Sequence, residues 1–424
     1  MENDEDKSNY LTPYERGNLN QTTTWKECIA FYASLAEAFP HILSFDIIGE
    51  SDCGTPIHAG IVTADGIFDQ LQILQAKRPI FFNNNGIHPG EPEGIDNCMA
   101  VVRDFCLLPA KLASLGSTVF LFIPVYNVDG CLNRQNTSRA NQVGPEQFGF
   151  RGNDLHMDLN RDFLKTDTLC AQTFNRFFSA WSPDVMVDTH TSNGADYQYT
   201  MTLIQTQAVK LGGGGLSEFY KSTMLPYIYT SMSERGWPIC PAVSPVKVIP
   251  DDGIVDFLET PRFSTGYAAL HHTIGFMAET HMLKPYCDRY NSMRVLVDTI
   301  LEFTVANGLE IRRLRDAARA LVCVADTLPI HWTMEDRASK FLFKGFEAHY
   351  FPSKLGSYSR LAYDRSRPFE REIDYFDNFV VDGLVSRPVG YLIPHAWRSV
   401  LKRLRLNGVV MVELQSSHEV SCEC

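Results

Sequence analysis

Short apolar runs that end in polar residues constrain the fold of this chain most strongly. Pro79–Asn83 and Asp184–His190 have the length and composition of buried strands, and Thr118–Tyr126 is almost wholly apolar, β-branched or aromatic. After the first run, apolar residues recur at helical spacing from about Pro92 to Leu107. This order of strand, loop and helix is typical of an α/β fold, in which the carboxyl ends of the strands carry the functional residues.

Three candidate metal ligands lie at the ends of these runs. His88 and Glu91 follow the first run at a spacing of three, and His190 ends the run Asp184–His190 before a turn. Taken singly, a capping glutamate in a polar loop and a polar strand end are the alternative interpretations. Two imidazoles and one carboxylate are the ligand set of a catalytic zinc that keeps a fourth position for water. Together the three residues therefore predict a metallohydrolase.

Four segments in a fixed order extend this pattern, and their residues are His88-Pro-Gly-Glu91, Asp158-Leu-Asn-Arg-Asp-Phe163, Asp188-Thr-His190 and Ala278-Glu-Thr-His281. With them the chain resembles the zinc carboxypeptidases, the M14 family of metallopeptidases, and a weaker likeness extends from about Tyr32 to Glu302. The resemblance implies an α/β fold with a mixed, mostly parallel central sheet flanked by helices. It also implies one zinc ion per chain, bound by His88, Glu91 and His190.

The resemblance also assigns two carboxylates. Asp158 would accept the second ring N–H of His88 and so fix its tautomer. Glu279 would be the general base and acid, because a carboxylate near the attacking water can take its proton and pass it to the leaving amine.

Arginines and an asparagine would bind the substrate. Asn160 and Arg161 are implied to hold a free terminal carboxylate, to which a guanidinium can donate two parallel hydrogen bonds. We assign to Arg139 the stabilisation of the charge that develops on the scissile carbonyl, with Arg134 and Arg151 as nearby alternatives.

The expected side-chain pocket departs from the family pattern. The digestive enzymes close a tyrosine over the substrate, about twenty residues before the catalytic glutamate, whereas here Phe257 stands near that place. Tyr267 is our candidate for the closing tyrosine. Arg262 is the candidate that would make the pocket prefer an acidic terminal residue, and a surface arginine after a proline is the equal alternative.

Three functions are compatible with these residues. The leading prediction is a zinc metallocarboxypeptidase that removes a C-terminal residue from peptides. The second is a zinc amidase or deacylase acting on γ-linked peptides or acylated amino acids, since the expected partner is any peptide or amide with a free carboxylate. The third is a catalytically silent binding protein, which the intact set of zinc ligands together with Glu279 disfavours.

Composition narrows the class of protein further. The formal net charge of −12 argues against nucleic acid or an anionic membrane as a partner. No apolar stretch approaches the ~20 residues of a transmembrane helix. The polar start and the eleven scattered cysteines favour a reducing, cytoplasmic compartment, or a periplasmic or secreted one if a signal peptide was removed. Cys422 and Cys424 are expected in a frayed tail, and metal binding by this CxC pair is the alternative. The sequence does not predict the oligomeric state.

Changes in composition and in hydrophobic pattern along the chain predict three parts. They are a loose polar leader over 1–24, a catalytic domain over 25–321 and a smaller C-terminal module over 322–424. Helices are predicted over about Tyr290–Asn307 and Leu309–Leu321. The module is expected to be α+β and rich in strands, because aromatics and short alternating runs extend to about Arg387. We expect it to be truncated at Cys424, since comparable parts of resembling proteins continue further.

Overall fold

A computed structural model describes residues 9–416, 419 and 421, and within them an eight-stranded sheet forms the centre of the fold. In chain order the strands of the molecule are β1 Leu43–Glu50, β2 Pro56–Val62, β3 Ile80–Asn84, β4 Val119–Ile123, β5 Val185–Ser192, β6 Met201–Gln205, β7 Ile239–Pro241, β8 Ser244–Pro245, β9 Ile254–Val255, β10 Ile274–His281, β11 Thr327–Met334, β12 Ser339–Pro352, β13 Ser359–Phe376 and β14 Phe379–Ser386. The central sheet has the order β1-β2-β4-β3-β5-β10-β6-β7.

The central sheet is mixed, as predicted. β3 pairs in parallel with β4 and β5, β5 with β10, and β6 with β7, whereas the pairings β1–β2, β2–β4 and β6–β10 are antiparallel. Every residue of β3 and β4 is buried, which explains why β4 and the first three residues of β3 are apolar on both faces.

Helices cover the sheet. They are α1 Pro13–Arg16, α2 Trp25–Ala38, α3 Gln70–Gln75, α4 Glu93–Leu107, α5 Pro109–Ala113, α6 Val128–Leu132, α7 Leu169–Trp181, α8 Leu216–Phe219, α9 Leu225–Glu234, α10 Ser264–Leu270, α11 Tyr286–Val324 and α12 Arg398–Leu406. A π-helical turn, Tyr220–Met224, joins α8 to α9.

The prediction of two helices over residues 290–321 was wrong, because α11 runs unbroken through both. Its Gly308 looks like a stop signal in the sequence but serves packing instead. A Cβ atom at that position would lie 2.4 Å from Cβ of Pro79, so only glycine lets the helix approach the start of β3 this closely.

The expectation of a loose leader does not hold for residues 9–24, whereas residues 1–8 lie outside the described part. The Thr12 side chain caps α1 and Tyr14 of that helix is buried. The backbone N–H of Thr23 donates to the buried Asp96 over 2.9 Å, and Arg103 pairs with Glu15 over 2.5 Å. Buried hydrogen bonds therefore hold this segment on α4.

Two further sheets lie towards the C-terminus, in agreement with the predicted strand-rich module. β11 and β14 form a two-stranded sheet, and the second sheet has the order β12-β13-β9-β8. Because β8 and β9 lie between β7 and α10 in the chain, this second sheet includes strands from within the predicted catalytic domain. The predicted boundary at residue 321 falls inside α11 and remains a prediction.

Most cysteines of the described residues are buried. Cys98, Cys106 and Cys131 are buried, as expected, and the cysteines of the described residues are free. Cys422 and Cys424 lie outside the described residues. Among the described residues, no helix has both the length and the apolarity needed to span a bilayer.

Candidate metal and substrate site

Adjacent parallel strands bring the predicted site residues to one edge of the central sheet. Glu279 of β10 is in register with His190 of β5, and Asn84 of β3 is in register with Asp188. His88 and Glu91 lie in the loop between β3 and α4. The structure therefore brings together three carboxyl strand ends, as the sequence pattern predicted.

The three predicted ligands converge around one carboxylate oxygen. Oε2 of Glu91 lies 3.4 Å from Nδ1 of His88 and 3.1 Å from Nδ1 of His190. The other ring nitrogens face carboxylates, with Nε2 of His88 2.8 Å from Asp158 and Nε2 of His190 2.9 Å from Asp188. Both rings thus direct Nδ1 towards the shared centre, and an Nε2–H that donates to a carboxylate fixes that tautomer.

This donor set fits a zinc ion. The ligand atoms of His88, Glu91 and His190 all lie within 4.8 Å of one another, and each of the three residues is only 2% exposed. Nδ1 of His88 is buried without a hydrogen-bond partner, as is typical of a nitrogen reserved for a metal. Imidazole nitrogens and a carboxylate are ligands that zinc prefers.

Two arginines reach the Glu91 carboxylate from the side of the cavity. Nη1 of Arg139 lies 2.6 Å from Oε1, while its other nitrogens donate to Gln142 and to the carbonyl of Thr191. Nη1 of Arg151 lies 3.3 Å from the same oxygen. Burial raises the pKa of Glu91, but Arg139 and the histidines outweigh it and hold that pKa well below its usual range.

The two arginines differ in how free they are to meet a substrate. Both line the cavity beside the ligands, but Arg151 is the more exposed and pairs with Asp158 over 2.9 Å. Arg134 donates to the backbone carbonyls of Thr22, Thr23 and Gln147 and is not among the described residues that line the cavity. Arg139 and Arg151 therefore remain the two candidates to contact the scissile carbonyl.

Glu279 lies in the wall of a cavity of about 340 Å³ that also contains the three ligands. Burial raises its pKa above the ordinary value, Glu91 raises it further, and His190 and His88 oppose the shift. A carboxylate with a raised pKa beside a metal-ligand cluster is a stronger base than one in water. The site can thus hold a metal and move a proton at adjacent positions.

Asn160 and Arg161 form the next part of the same cavity. Oδ1 of Asn160 accepts from the backbone N–H of Ser264 over 3.1 Å. The Arg161 guanidinium lies 4.2 Å from the ring centroid of Phe263, and Nη1 donates to the carbonyl of Asn160. Since its nearest carboxylate oxygen, in Asp158, is 3.9 Å away, this cation faces the cavity without a close ion pair.

The structure contradicts one predicted substrate contact, that of Tyr267, whereas Arg262 lies outside the cavity lining and its role stays a prediction. Tyr267 is fully buried in α10, where its ring packs against Phe163 and Phe178, so it cannot close over a substrate in this cavity. Its helix turns that face towards the core, since residues 264–269 are all buried. Arg262 is exposed and is not among the described residues that line the cavity.

Sequence reasoning missed several residues of the site, among them the polar residues Asp188, Tyr197 and Thr202. Asp188 was quoted in the pattern but given no role, although two residues before His190 in a strand places it on the same face. The apolar side chains that were missed come from well-separated segments that no local pattern connects, and they are Ile204, Val243 and Met277.

Part of the chain matches a known protein family. Residues 28–208 match the model of a family described as zinc carboxypeptidase. A protein of Shewanella denitrificans that bears the provisional name carboxypeptidase A has a similar fold, with a TM-score of 0.51, 13% identity and 70% of each chain covered. For bovine thrombin-activatable fibrinolysis inhibitor, in complex with tick carboxypeptidase inhibitor, the TM-score is 0.48 and the sequence identity is 14%. The match covers 68% of this chain and 98% of that one.

A metallo-carboxypeptidase from Pseudomonas aeruginosa, in complex with (2-guanidinoethylmercapto)succinic acid, gives a TM-score of 0.48 at 14% identity. It covers 66% of this chain and 69% of its own. A comparison with curated protein sequences found no match.

Proposed function

We propose that this protein is a zinc-dependent metallocarboxypeptidase that hydrolyses the C-terminal peptide bond of its substrates, since residues 28–208 match the zinc carboxypeptidase family model. One observation carries the proposal. A single cavity is lined by the ligand cluster His88, Glu91 and His190, by the carboxylate of Glu279 and by the guanidinium of Arg161, whose nearest carboxylate oxygen is 3.9 Å away.

His88, Glu91 and His190 would hold the zinc, which when bound lowers the pKa of a water molecule and polarises the carbonyl. Glu279 acts as the base, and its carboxylate accepts a proton from the attacking water. It then donates that proton to the leaving amine. Its raised pKa supports both transfers, because a base works best when its pKa is near the working pH.

The remaining polar groups orient the substrate. Arg161 binds the terminal carboxylate, and Asn160 adds its amide beside it, which selects peptides with a free C-terminus. Arg139 donates to the scissile carbonyl in our assignment, with Arg151 as the alternative. Either arginine would stabilise the negative charge that develops only in the transition state.

Release of amino acids from a peptide library tests this function. Each peptide is offered with a free and with an amidated C-terminus, and zinc content is measured in parallel. We expect release from free C-termini only. Glu279→Gln should lower kcat by about 10²- to 10⁴-fold while zinc binding is retained.

Two results would contradict the proposal. Equal release from amidated peptides would remove the role of Arg161 as a carboxylate anchor. No release from any α-peptide by the zinc-loaded protein would instead favour γ-linked amides or acylated amino acids, which should then be assayed with the same Glu279→Gln control.

A further inference from the structure

Part of the cavity lining is apolar, and we define this apolar wall as Ile204, Val243, Phe257, Phe263 and Met277. Ile204 of β6 is in register with Met277 of β10, so the two side chains share one face of the sheet. The rings of Phe257 and Phe263 meet edge to face with centroids 4.9 Å apart. Strands and ring contacts thus hold the wall in place.

The apolar wall lies directly beside the proposed carboxylate anchor. Nδ2 of Asn160 is 3.6 Å from Sδ of Met277, and the Arg161 guanidinium stacks on Phe263 at 4.2 Å. In a peptide, the terminal side chain and the terminal carboxylate are attached to the same carbon. A substrate whose carboxylate is bound by Arg161 therefore places its last side chain within reach of this wall.

No charged side chain of the described residues interrupts the apolar wall. The charged groups that line the cavity are Arg161 and the groups at the metal end, where Glu91, Arg139, Arg151 and Glu279 lie. Burying a carboxylate or an ammonium group against such a surface is costly without a partner. Leucine and phenylalanine side chains instead gain from leaving water there.

We propose, on the basis of the function proposed above, that this site selects peptides whose last residue is apolar or aromatic. The apolar wall is the determinant of that choice. Arg262, which was our sequence candidate for a preference for acidic residues, takes no part.

Matched peptides that differ only in their last residue test this assignment. We expect kcat/KM for terminal leucine and phenylalanine to exceed that for glutamate and lysine by roughly 100-fold, because several methylene contacts are gained and no charge is buried. Ile204→Arg should raise the ratio of glutamate to leucine by at least ~10-fold. The control Arg262→Ala should leave the ratio unchanged.

Binding measurements keep the test independent of turnover. Calorimetry on the Glu279→Gln variant with the intact peptides should give the same order of affinities, leucine and phenylalanine before glutamate and lysine. This calorimetric measurement also tests the apolar wall if the Ile204→Arg variant does not fold.

The outcomes separate the inference from the function on which it rests. Release that favours glutamate or lysine would overturn the apolar preference and leave carboxypeptidase action intact. A folded Ile204→Arg variant with an unchanged ratio, or an Arg262→Ala variant that loses the preference, would also overturn the assignment. No release from any free C-terminus, with zinc bound, would overturn both.

Discussion

Asp188 controls the orientation of a proposed zinc ligand, and its removal should weaken metal binding. Its Oδ2 lies 2.9 Å from Nε2 of His190, and its Oδ1 accepts from Nδ2 of Asn84 over 2.9 Å. Asp188 is fully buried, so no water can replace it. We expect Asp188→Asn to keep the packing, because the two side chains have nearly the same shape, and to lose the negative charge that raises the basicity of the ring.

Partners of a metal-bound histidine typically contribute 10- to 100-fold to metal affinity, or about 1.4–2.7 kcal/mol. Asp188→Asn should therefore raise the Kd for zinc by a factor in this range. Asp188→Ala should in addition cost about 2–6 kcal/mol of unfolding free energy, because two buried donors lose their acceptor at ~1–3 kcal/mol each.

Zinc affinity is measured by competition with a chromophoric chelator, and stability by denaturant unfolding of the metal-free protein. Asp298→Asn is the matched control. It removes a carboxylate that pairs with Arg294 and Lys111, and should change stability only. An Asp188→Asn variant that binds zinc as tightly as the parent protein would refute the proposed role.

Two buried carboxylates give further predictions. Burial raises the pKa of Asp96 to about 6 from its ordinary 3.8, so the folded state holds this proton more tightly than the unfolded chain and stability falls as pH rises between these values. The unfolding free energy of Asp96→Asn, relative to that of the parent protein, should therefore rise by about 3 kcal/mol between pH 3.5 and 7. Urea titrations measure both free energies, and a difference between the two proteins that does not change with pH would contradict this. Asp184→Ala should lower the free energy of unfolding by about 3–5 kcal/mol, since it leaves Arg315 buried without its carboxylate partner. Calorimetric unfolding measures this loss, and a loss below ~1 kcal/mol would count against the prediction.

Local patterns predicted the sheet edge and the cluster of His88, Glu91 and His190 there, because strand ends and a spacing of three are visible over a few residues. The fold class, the strand ends near His88 and His190, and the strand-rich C-terminal part were predicted correctly. The unbroken α11 was missed, because Gly308 is required by contact with Pro79, which is distant in sequence. Tyr267 was misassigned for a similar reason, since the direction in which a helix faces depends on what it packs against.

The sequence could not predict the apolar wall for the same physical reason. Ile204 and Met277 become neighbours only through an antiparallel pairing, and no periodicity joins them. The pairing of Arg139 and Arg151 with Glu91 was equally hidden, because both arginines lie in a long irregular segment. Both features depend on tertiary contacts.

The pairing of β13 with β9 has a consequence for how the chain can be divided. Tyr375 and Phe376 are in register with Ile254 and Val255, which lie just before Phe257 in the chain. A protein cut after residue 321 would retain His88, Glu91, His190 and Glu279 but lose the strand that braces Phe257. We therefore expect proteolysis at that place to separate two proposed properties, because zinc binding would be kept while selection among peptides would be lost.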